Sequence, residues 1–217
     1  MSALSRILAI SDIHGHVHAL HILLTYVNYR ADQDELYFVG DYIDKGPNSE
    51  GTLEAVEYYV RNGAYAIMGN HEKCALDDIA EGSKKWIEWK HFLQSLPLYI
   101  ERKPFLFVHA GIRTGIPLHA QQTNDLLTIR DPFLHAPLQE DTTVVFGHTP
   151  TSRLGVPVGS VWQQPKKLGI DTGAGQQQYL SLIDLTNSIQ YRISVTNPLL
   201  SEVDVLMFSS TINGNTQ

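Results

Sequence analysis

Short runs of apolar residues, each followed at once by polar side chains, recur along the first two thirds of the chain. Such runs are typical of strands that are buried on both faces of a sheet. A polar cluster directly behind a buried strand makes a poor core and a good binding site. The pattern therefore predicts five strands, which cover residues 6–11, 35–40, 64–68, 105–108 and 142–146.

The residues between the first three strands have helical spacing. Apolar side chains recur at intervals of three and four within residues 16–30, which places them on one face of a helix. A second helix is predicted from Asn48 or Ser49, either of which can cap it, to about Arg61. Strands that alternate with helices predict a largely parallel sheet, and ligands bind beyond the carboxyl ends of such strands. We therefore expect the polar clusters to converge on one site.

The last third of the chain has a different pattern. Apolar stretches separated by tight turns predict an antiparallel meander over residues 168–170, 179–185 and 188–194. Residues 203–208 can pair at the edge of a sheet. We therefore expect two sheets, one mainly from each half of the chain, with the helices concentrated early.

A less regular helical segment covers about residues 74–98. Within it, residues 84–93 have apolar spacing of three and four, which predicts an amphipathic helix packed over the core. The chain has 217 residues, of which 43% are hydrophobic and 18% charged, so it can bury a large core. We expect a single domain over residues 1–217, with the 74–98 segment as a cap-like part of it.

Charge and hydropathy limit the partners of the protein. A formal charge of -7 argues against a surface for nucleic acid, although a metal ion can reverse the sign locally for a small anionic substrate. No apolar run approaches the roughly 20 residues of a membrane span, and Met1–Arg6 is too short and polar for a signal peptide. We therefore expect a cytoplasmic protein that binds neither nucleic acid nor membranes. The sequence leaves the oligomeric state open.

The polar clusters are rich in side chains that bind metals. Oxygen and imidazole ligands without thiolates favour divalent ions such as Mn, Fe, Mg or Zn over a structural zinc site. Two ions about 3.5–4 Å apart need a bridging ligand, which a carboxylate can supply. Six protein ligands with one bridge would fill two sites and leave positions for water and substrate. The candidate residues are Asp12, His14, Asp41, Asp44, Asn70, His71, His109 and His148.

A rival metal site lies along the first helix. His14, His18 and His21 have the i, i+4, i+7 spacing of a helical zinc site, provided that the helix begins early enough. Gly15 favours a helix that begins after His14. We therefore expect His18 and His21 to be solvated or packing residues.

Five motifs, each behind a strand and together spanning about residues 7–150, resemble those of the calcineurin-like metallophosphoesterases. Within that family, they resemble the bacterial and phage relatives of the phosphoprotein phosphatases. The motifs are Ser-Asp-Ile-His-Gly at 11–15, Gly-Asp-Tyr-Ile-Asp-Lys-Gly-Pro at 40–47, Gly-Asn-His-Glu at 69–72, Val-His-Ala-Gly at 108–111 and Phe-Gly-His-Thr at 146–149. The resemblance implies an α/β fold of two packed mixed β-sheets flanked by helices, the αββα sandwich. Residues 170–173 also resemble a late segment of bacterial relatives, with no chemistry assigned.

The resemblance implies a role for each candidate residue. The implied metal ligands are Asp12 and His14 at the first ion, Asp41 as the bridge, and Asn70, His109 and His148 at the second ion. Both ions are expected to be manganese, with iron, zinc or magnesium as alternatives. In this family a metal-bound hydroxide attacks phosphorus directly, without a covalent enzyme intermediate. His71 would protonate the leaving oxygen, Asp44 would orient the His71 ring, and Glu72 would support the turn that follows.

The phosphate-binding groups depart from the family pattern. Arg130 resembles the family's later phosphate-binding arginine. Lys45 stands where the family has an arginine, which keeps the charge but loses the planar bidentate contact with phosphate. Met68 stands where the family has a second arginine, so both the charge and the bidentate contact are lost at that position. Arg113 is a residue that could compensate for the lost charge. The resemblance thus implies that Arg130 and Lys45 bind substrate next to an intact metal centre.

The resemblance implies a metal-dependent phosphatase that hydrolyses phosphomonoesters, with a phosphorylated protein or a small phosphoester as substrate. The first hypothesis is a serine/threonine protein phosphatase. The alternative is a hydrolase of dinucleoside polyphosphates such as diadenosine tetraphosphate, whose relatives share the His-Ala-Gly-Ile run at 109–112. A third hypothesis, from another class, is a binding protein that uses the pocket to sense a phosphate ligand.

Overall fold

The computed structural model describes residues 5–138 and 142–209. The strands in these ranges are β1 (Ile7–Ile10), β2 (Glu35–Phe38), β3 (Tyr65–Ala66), β4 (Tyr99–Arg102), β5 (Phe105–Val108), β6 (Thr143–Phe146), β7 (Trp162–Gln164), β8 (Lys167–Gly169), β9 (Tyr179–Asp184), β10 (Ile189–Ser194) and β11 (Asp204–Met207). The α-helices are α1 (Val17–Tyr26), α2 (Ser49–Arg61), α3 (Asn70–Ala80), α4 (Lys90–Ser95), α5 (Thr123–Thr128) and α6 (Asp131–His135). Short 3-10 helices cover Ile87–Trp89, Leu118–Ala120, Thr151–Leu154, Ala174–Gln176 and Pro198–Leu200.

The five strands predicted from the apolar runs are confirmed as β1, β2, β3, β5 and β6. Helix α2 is confirmed with its cap, because the Asn48 side chain accepts a hydrogen bond from the Gly51 N–H at 2.9 Å. Helix α1 is shorter than predicted. Asn28 has a left-handed φ of 51°, and a right-handed helix cannot continue through that conformation.

The strands form one six-stranded and one five-stranded sheet. The first sheet has the order β11-β10-β9-β1-β2-β3, and the second has the order β4-β5-β6-β8-β7. Strands β1, β2 and β3 run parallel, as do β5, β6 and β8. The carboxyl ends of these parallel strands are where a binding site is expected.

Alternation along β1 shows how the layers are built. Ile7 and Ala9 belong to an apolar cluster that also contains Phe107 and Val145 of the second sheet, so they lie between the two sheets. Leu8 and Ile10 face the opposite way, into a cluster shared with helices α1 to α4. A third cluster joins the second sheet to α5 and α6. The order of layers is helix, sheet, sheet, helix, which confirms the predicted α/β sandwich.

The predicted three-stranded meander is wrong in one strand. β9 and β10 form an antiparallel pair, as expected, but they lie beside β1, and β8 lies in the other sheet, parallel to β6. The expectation that each half of the chain forms one sheet is wrong for a related reason. β1 pairs with β2 on one side, and the late strands β9 to β11 extend the first sheet from its opposite edge.

The helical segment at about residues 74–98 divides differently from its prediction. α3 begins at Asn70, inside the Gly-Asn-His-Glu motif, and residues 84–93 contain a 3-10 turn followed by α4 in place of one helix. The break occurs at Trp86, whose φ of 102° is left-handed. Ala75, Trp86 and Leu93 belong to the same core cluster as Leu8. The assignment of this segment as a cap within a single domain stays a prediction.

Three further predictions concern the late edge strand, membrane spans and the start of the chain. The predicted edge pairing near the end of the chain is confirmed, because β11 pairs antiparallel with β10 at the edge of the first sheet. None of the helices in the described ranges combines the length and the apolar character needed to cross a bilayer. The prediction that Met1–Arg6 is not a signal peptide concerns residues that lie largely outside the described ranges.

Candidate dinuclear metal centre

The candidate ligands lie at the carboxyl ends of parallel strands in both sheets. Asp12, Asp41 and Asn70 follow β1, β2 and β3 of the first sheet, while His109 and His148 follow β5 and β6 of the second. A hydrogen bond from the His148 N–H to Asp12 Oδ2, 3.0 Å long, joins the two sheets at this edge. The convergence expected from the strand pattern is therefore present.

The backbone bends sharply at this edge. Asp12, His14, Asp41 and His148 all have left-handed φ angles, between 46° and 63°, although none of them is glycine. Residues other than glycine adopt this region at a cost, and such residues cluster at functional sites. The bends turn the side chains out of the strand direction and towards one another.

Asp41 occupies the middle of the arrangement. Its Oδ2 lies 3.6 Å from His14 Nε2, and its Oδ1 lies 3.4 Å from His109 Nε2. Its side chain is 2% exposed. Two groups of side chains are close enough to hold an ion, and Asp41 belongs to both: one adds His14 and His71, the other His109 and His148. This is the geometry that a bridging carboxylate requires.

Two histidine rings are fixed by hydrogen bonds on the side away from Asp41. Nδ1 of His14 lies 2.8 Å from the Ile43 carbonyl oxygen, and Nδ1 of His109 lies 2.9 Å from the Val39 carbonyl oxygen. Because a carbonyl can only accept, each Nδ1 carries a proton and donates it. This is the usual second contact of metal-binding histidines, and it directs Nε2 of both rings to the centre.

Asn70 and His148 complete the second group. The Asn70 Oδ1 lies 3.1 Å from His109 Nε2 and 2.8 Å from His148 Nδ1. The other ring nitrogen of His148, Nε2, is buried and has no hydrogen-bond partner among the residues of 5–138 and 142–209. Asp12 is further away on the other side, with its Oδ1 3.9 Å from His14 Nε2.

The electrostatics of the site favour bound cations. Burial would lower the pKa of His109, but the Asp41 carboxylate raises it to about 10. A proton on His109 therefore balances part of the negative charge, a place that a metal ion can take. Burial lowers the pKa of His14 to about 4 and that of His148 to about 3, so both rings are neutral at pH 7 and able to bind a metal. The donor set fits two divalent ions.

Glu72 supports the centre, although its signal in the sequence is only its place in a motif. Its buried carboxylate accepts hydrogen bonds from the N–H groups of Asp41 and Tyr42, both at 2.8 Å, and from Gly69 N–H at 2.9 Å. It therefore supports the loop that carries Asp41 and the start of α3, and not the turn that was expected to follow it, since residues 70–80 are helical. Sequence reasoning placed Glu72 beside the site but missed this contact.

A second carboxyl group near the centre belongs to Asp171, to which the sequence patterns assign no role. Asp171 is 3% exposed and accepts a hydrogen bond from Gly173 N–H at 3.0 Å. Burial raises its pKa well above the usual range, and repulsion from Asp12 adds to that shift. Asp12 is in turn held by hydrogen bonds from the Ser11 hydroxyl and the His148 N–H.

His71 and Asp44 form a pair beside the metal centre. The His71 Nδ1 lies 2.8 Å from Asp44 Oδ2, and its Nε2 lies 3.9 Å from Asp41 Oδ2. The His71 N–H also donates to Asp41 Oδ1 at 3.1 Å. Because the pair is half-buried, a substrate bound at the metals could reach the His71 ring. The geometry fits the predicted proton donor and its orienting carboxylate.

The cationic residues lie in different settings. Arg130 is exposed and pairs with no carboxylate of the described ranges, and its charge is near enough to His148 to lower the pKa of that ring. The Lys45 ammonium lies 3.0 Å from His14 Nε2. Met68 is buried in the core, and Arg113 is held by both oxygens of Asp125, so neither is free to bind phosphate. His18 and His21 are exposed on α1, and His14 precedes that helix, so the rival zinc site does not form.

Gly147 provides a test of how the site is packed. A Cβ at this position would lie 1.9 Å from Ser11 Oγ and 2.0 Å from Asp12 Oδ2. We expect Gly147→Ala to push Asp12 away and to lower the affinity for Mn²⁺ about tenfold or more, as loss of an outer contact to a metal ligand does. Isothermal titration calorimetry with Mn²⁺ would measure the change.

Gly82→Ala is the matched control for Gly147→Ala. Gly82 has a φ of 100° with no neighbouring atom where a Cβ would be placed, so alanine there introduces backbone strain far from the metals. We expect this variant to melt at a lower temperature and to bind Mn²⁺ as the wild type does. Unchanged Mn²⁺ affinity in Gly147→Ala would show that Asp12 does not depend on this close packing.

Comparison with known proteins supports the same family. The family model described as calcineurin-like phosphoesterase matches residues 5–171. A curated relative from Ralstonia nicotianae (strain ATCC BAA-1114 / GMI1000), a symmetrical bis(5'-nucleosyl)-tetraphosphatase, is 36% identical over 120 residues. That match covers 48% of this chain and 41% of the relative, so the chain spans less than half of the relative's length.

Solved structures share the fold. A crystal structure described as "a putative diadenosine tetraphosphatase" superposes with a TM-score of 0.73 and 24% identity, covering 88% of this chain and 94% of that one. A protein serine/threonine phosphatase from Saccharomyces cerevisiae has a TM-score of 0.57 and 14% identity, covering 95% and 81%. At these identities the likeness concerns the fold alone.

Proposed function

The chain belongs to the calcineurin-like phosphoesterase family, and we propose that it is a metal-dependent hydrolase of phosphoric esters and anhydrides that cleaves dinucleoside tetraphosphates. The observation that carries the activity is the pair of ligand groups that share Asp41, with the His71–Asp44 pair beside them. A binding protein that only senses phosphate has no need of a proton donor at that position. We therefore rank catalysis above sensing.

The proposed ligands keep the roles implied by the sequence. Asp12 and His14 would hold one ion, Asn70, His109 and His148 the other, with Asp41 between them. When bound, the two ions would lower the pKa of a water molecule and polarise the phosphoryl oxygens. The metal identity is proposed as manganese, with iron, zinc and magnesium as alternatives.

The remaining side chains would bind and protonate the substrate. The Arg130 guanidinium pairs with no carboxylate of residues 5–138 and 142–209 and is close enough to His148 to lower its pKa, so it can hold non-bridging phosphoryl oxygens as their charge increases. Lys45 is proposed for the same purpose, since its ammonium already lies at the first metal site. His71 would donate its Nε2 proton to the leaving oxygen, with Asp44 holding Nδ1.

The curated relatives favour the tetraphosphate over a phosphoprotein. The relatives from Ralstonia nicotianae and Haemophilus influenzae are both named symmetrical bis(5'-nucleosyl)-tetraphosphatases. For the serine/threonine phosphatase hypothesis the solved structures support the fold alone, because the solved phosphatase of that class is 14% identical. The buried Met68 adds to this, since it provides no second guanidinium for a phosphoprotein clamp. The sequence-based preference for a protein phosphatase is therefore replaced by its alternative.

The reaction is a hydrolysis at the centre of the tetraphosphate. The water oxygen forms a bond to phosphorus, and the bond from that phosphorus to the central bridging oxygen breaks. The bridging oxygen leaves on a nucleoside diphosphate and can take the His71 proton, while the water proton passes to solvent. One dinucleoside tetraphosphate and one water thus give two nucleoside diphosphates.

A comparison of substrates tests this proposal. We expect kcat/KM for diadenosine tetraphosphate to exceed that for a phosphoserine peptide at least about tenfold, because one charge-assisted contact to the second half of the substrate is worth that much. Chromatography should show adenosine diphosphate as the one nucleotide product. A preparation of Asp41→Asn measures contaminating phosphatase. Faster hydrolysis of the peptide, or release of AMP and ATP, would contradict the proposed substrate.

A further inference from the structure

One cation that the sequence analysis did not single out lies beside the proton donor. The Lys85 Nζ is 3.6 Å from Asp44 Oδ1, and the other oxygen of Asp44 holds His71 at 2.8 Å. The Lys85 side chain is 63% exposed, so its ammonium is open to a ligand. An exposed ion pair of this kind contributes little to stability. Stability therefore does not account for the position of Lys85 next to His71, whereas binding of a ligand would.

The backbone around Lys85 is held in place. The Lys85 N–H donates to the Ser83 hydroxyl at 3.2 Å, and the next residue, Trp86, has the left-handed φ of 102° already described. Trp86 is 9% exposed and packs in the core cluster with Leu93. The Lys85 ammonium lies 4.7 Å from the centre of the Trp86 ring, where the cation and the ring attract each other. The buried Trp86 side chain thus holds the exposed Lys85 ammonium in position.

The position of His71 indicates which part of the substrate the Lys85 ammonium would contact. His71 is proposed to protonate the leaving oxygen, so the leaving group must extend on the His71 side of the metals. Of the proposed clamp groups, Arg130 lies near His148 in the other ligand group. The Lys45 ammonium contacts His14, whose ring is 4.9 Å from the His71 ring, so Lys85 adds a second cation on this side. A leaving nucleoside diphosphate carries negative charge beyond its leaving oxygen, whereas a serine side chain carries none. A cation on the His71 side would therefore attract a leaving nucleoside diphosphate but not a leaving serine side chain.

We propose that Lys85 binds the phosphates of the leaving nucleoside diphosphate and so selects polyphosphate substrates over simple phosphomonoesters. This inference rests on the proposed function and deepens it. Lys85 is then a specificity-determining residue, supplied by the turn between α3 and α4. The contact with Asp44 keeps the ammonium near the site until substrate phosphates replace that carboxylate.

Lys85→Gln, assayed on two substrates, tests the proposal. We expect kcat/KM for diadenosine tetraphosphate, divided by kcat/KM for 4-nitrophenyl phosphate, to fall about tenfold, the value of one hydrogen bond to a charged group. Lys85→Arg should keep most of the ratio. Lys84→Gln is the matched control, because Lys84 is the exposed neighbour and has no ion-pair partner in the described ranges. Calorimetry with ADP and the manganese-loaded protein should show a Kd about tenfold higher in Lys85→Gln alone.

The outcomes separate this inference from the proposed function. Equal losses on both substrates would mean that Lys85 only positions Asp44 and His71, and an unchanged ratio with unchanged ADP affinity would mean that it does neither; each result overturns the inference. A wild-type protein that hydrolyses 4-nitrophenyl phosphate but not the tetraphosphate would overturn the proposed function. In that case the ADP affinities would still decide whether Lys85 binds a diphosphate.

Discussion

Asp41→Asn is expected to reduce the bound manganese from two ions to at most one and to abolish hydrolysis. The two Asp41 oxygens face His14 and His109 at 3.6 and 3.4 Å, so one side chain serves both ligand groups. Asparagine keeps the shape but loses the charge and replaces one oxygen with a donor. Loss of an outer contact to a metal ligand already costs about 10- to 100-fold, so loss of the bridge should exceed about 100-fold in kcat/KM. Elemental analysis after gel filtration, with an assay on 4-nitrophenyl phosphate, measures both effects.

Asp32→Asn controls for the loss of one carboxylate. Asp32 is 66% exposed, pairs with Arg30, and lies in the turn before β2, at the end of the strand opposite Asp41. This variant should bind two manganese ions and keep full activity. If Asp41→Asn also kept two ions and full activity, the assignment of Asp41 as the bridge would be wrong. Loss of activity with both ions retained would place Asp41 in catalysis without a bridging role.

The ligands could be predicted from the sequence because their positions depend on local patterns. A short apolar run predicts a buried strand, and parallel strands end at the same edge of a sheet. Asp12, Asp41 and His109 follow such runs at once, so their convergence needs no knowledge of loops. The motifs then named the family whose fold the structure has. These steps recovered the αββα layers and the residues that meet at the centre.

Two of the errors concern interactions between residues that are distant in the sequence. β8 contains three residues, too few to indicate whether it pairs with β6 or with β9. Glu72 was expected to support the turn that follows it, but its carboxylate accepts hydrogen bonds from the N–H groups of Asp41 and Tyr42, about thirty positions earlier in the chain. Hydrophobic periodicity describes which face a residue occupies and not which partner it meets. Only the packed structure provides those partners.

Lys45 and Lys85 show where positive charge lies around the site. The sequence records Lys45 as a weaker replacement for arginine, and Met68 as a lost contact. In the structure the Lys45 ammonium lies against the His14 nitrogen proposed for a metal, while Lys85 adds a cation on the side of His71. Lys45 and Lys85 therefore lie on the side of His14 and His71, while Arg130 lies near His148 on the other side of the centre. Such a distribution suits a substrate with negative charge on both sides of the cleaved bond.

The His71→Asn variant is expected to keep two metal ions and to lose activity in proportion to how much the leaving group needs a proton. General acids contribute about 10²- to 10⁴-fold, so kcat for phenyl phosphate should fall by that factor. For 2,4-dinitrophenyl phosphate the fall should be roughly tenfold or less, because its leaving oxygen departs without protonation. Kinetics on a series of aryl phosphates, with elemental analysis of the same samples, provide the measurement.

The metal content decides between the two roles that the geometry allows His71. Its Nε2 lies 3.9 Å from Asp41 Oδ2, and it belongs to one of the groups that could hold an ion. A ligand role would remove an ion in His71→Asn and lower activity equally for all leaving groups, which would contradict the proton-donor assignment. Asp44→Asn is the companion variant: it leaves the imidazole but weakens its 2.8 Å contact. We expect it to show the same dependence on leaving group as His71→Asn, with a smaller slope, since Asp44 acts only through the His71 ring.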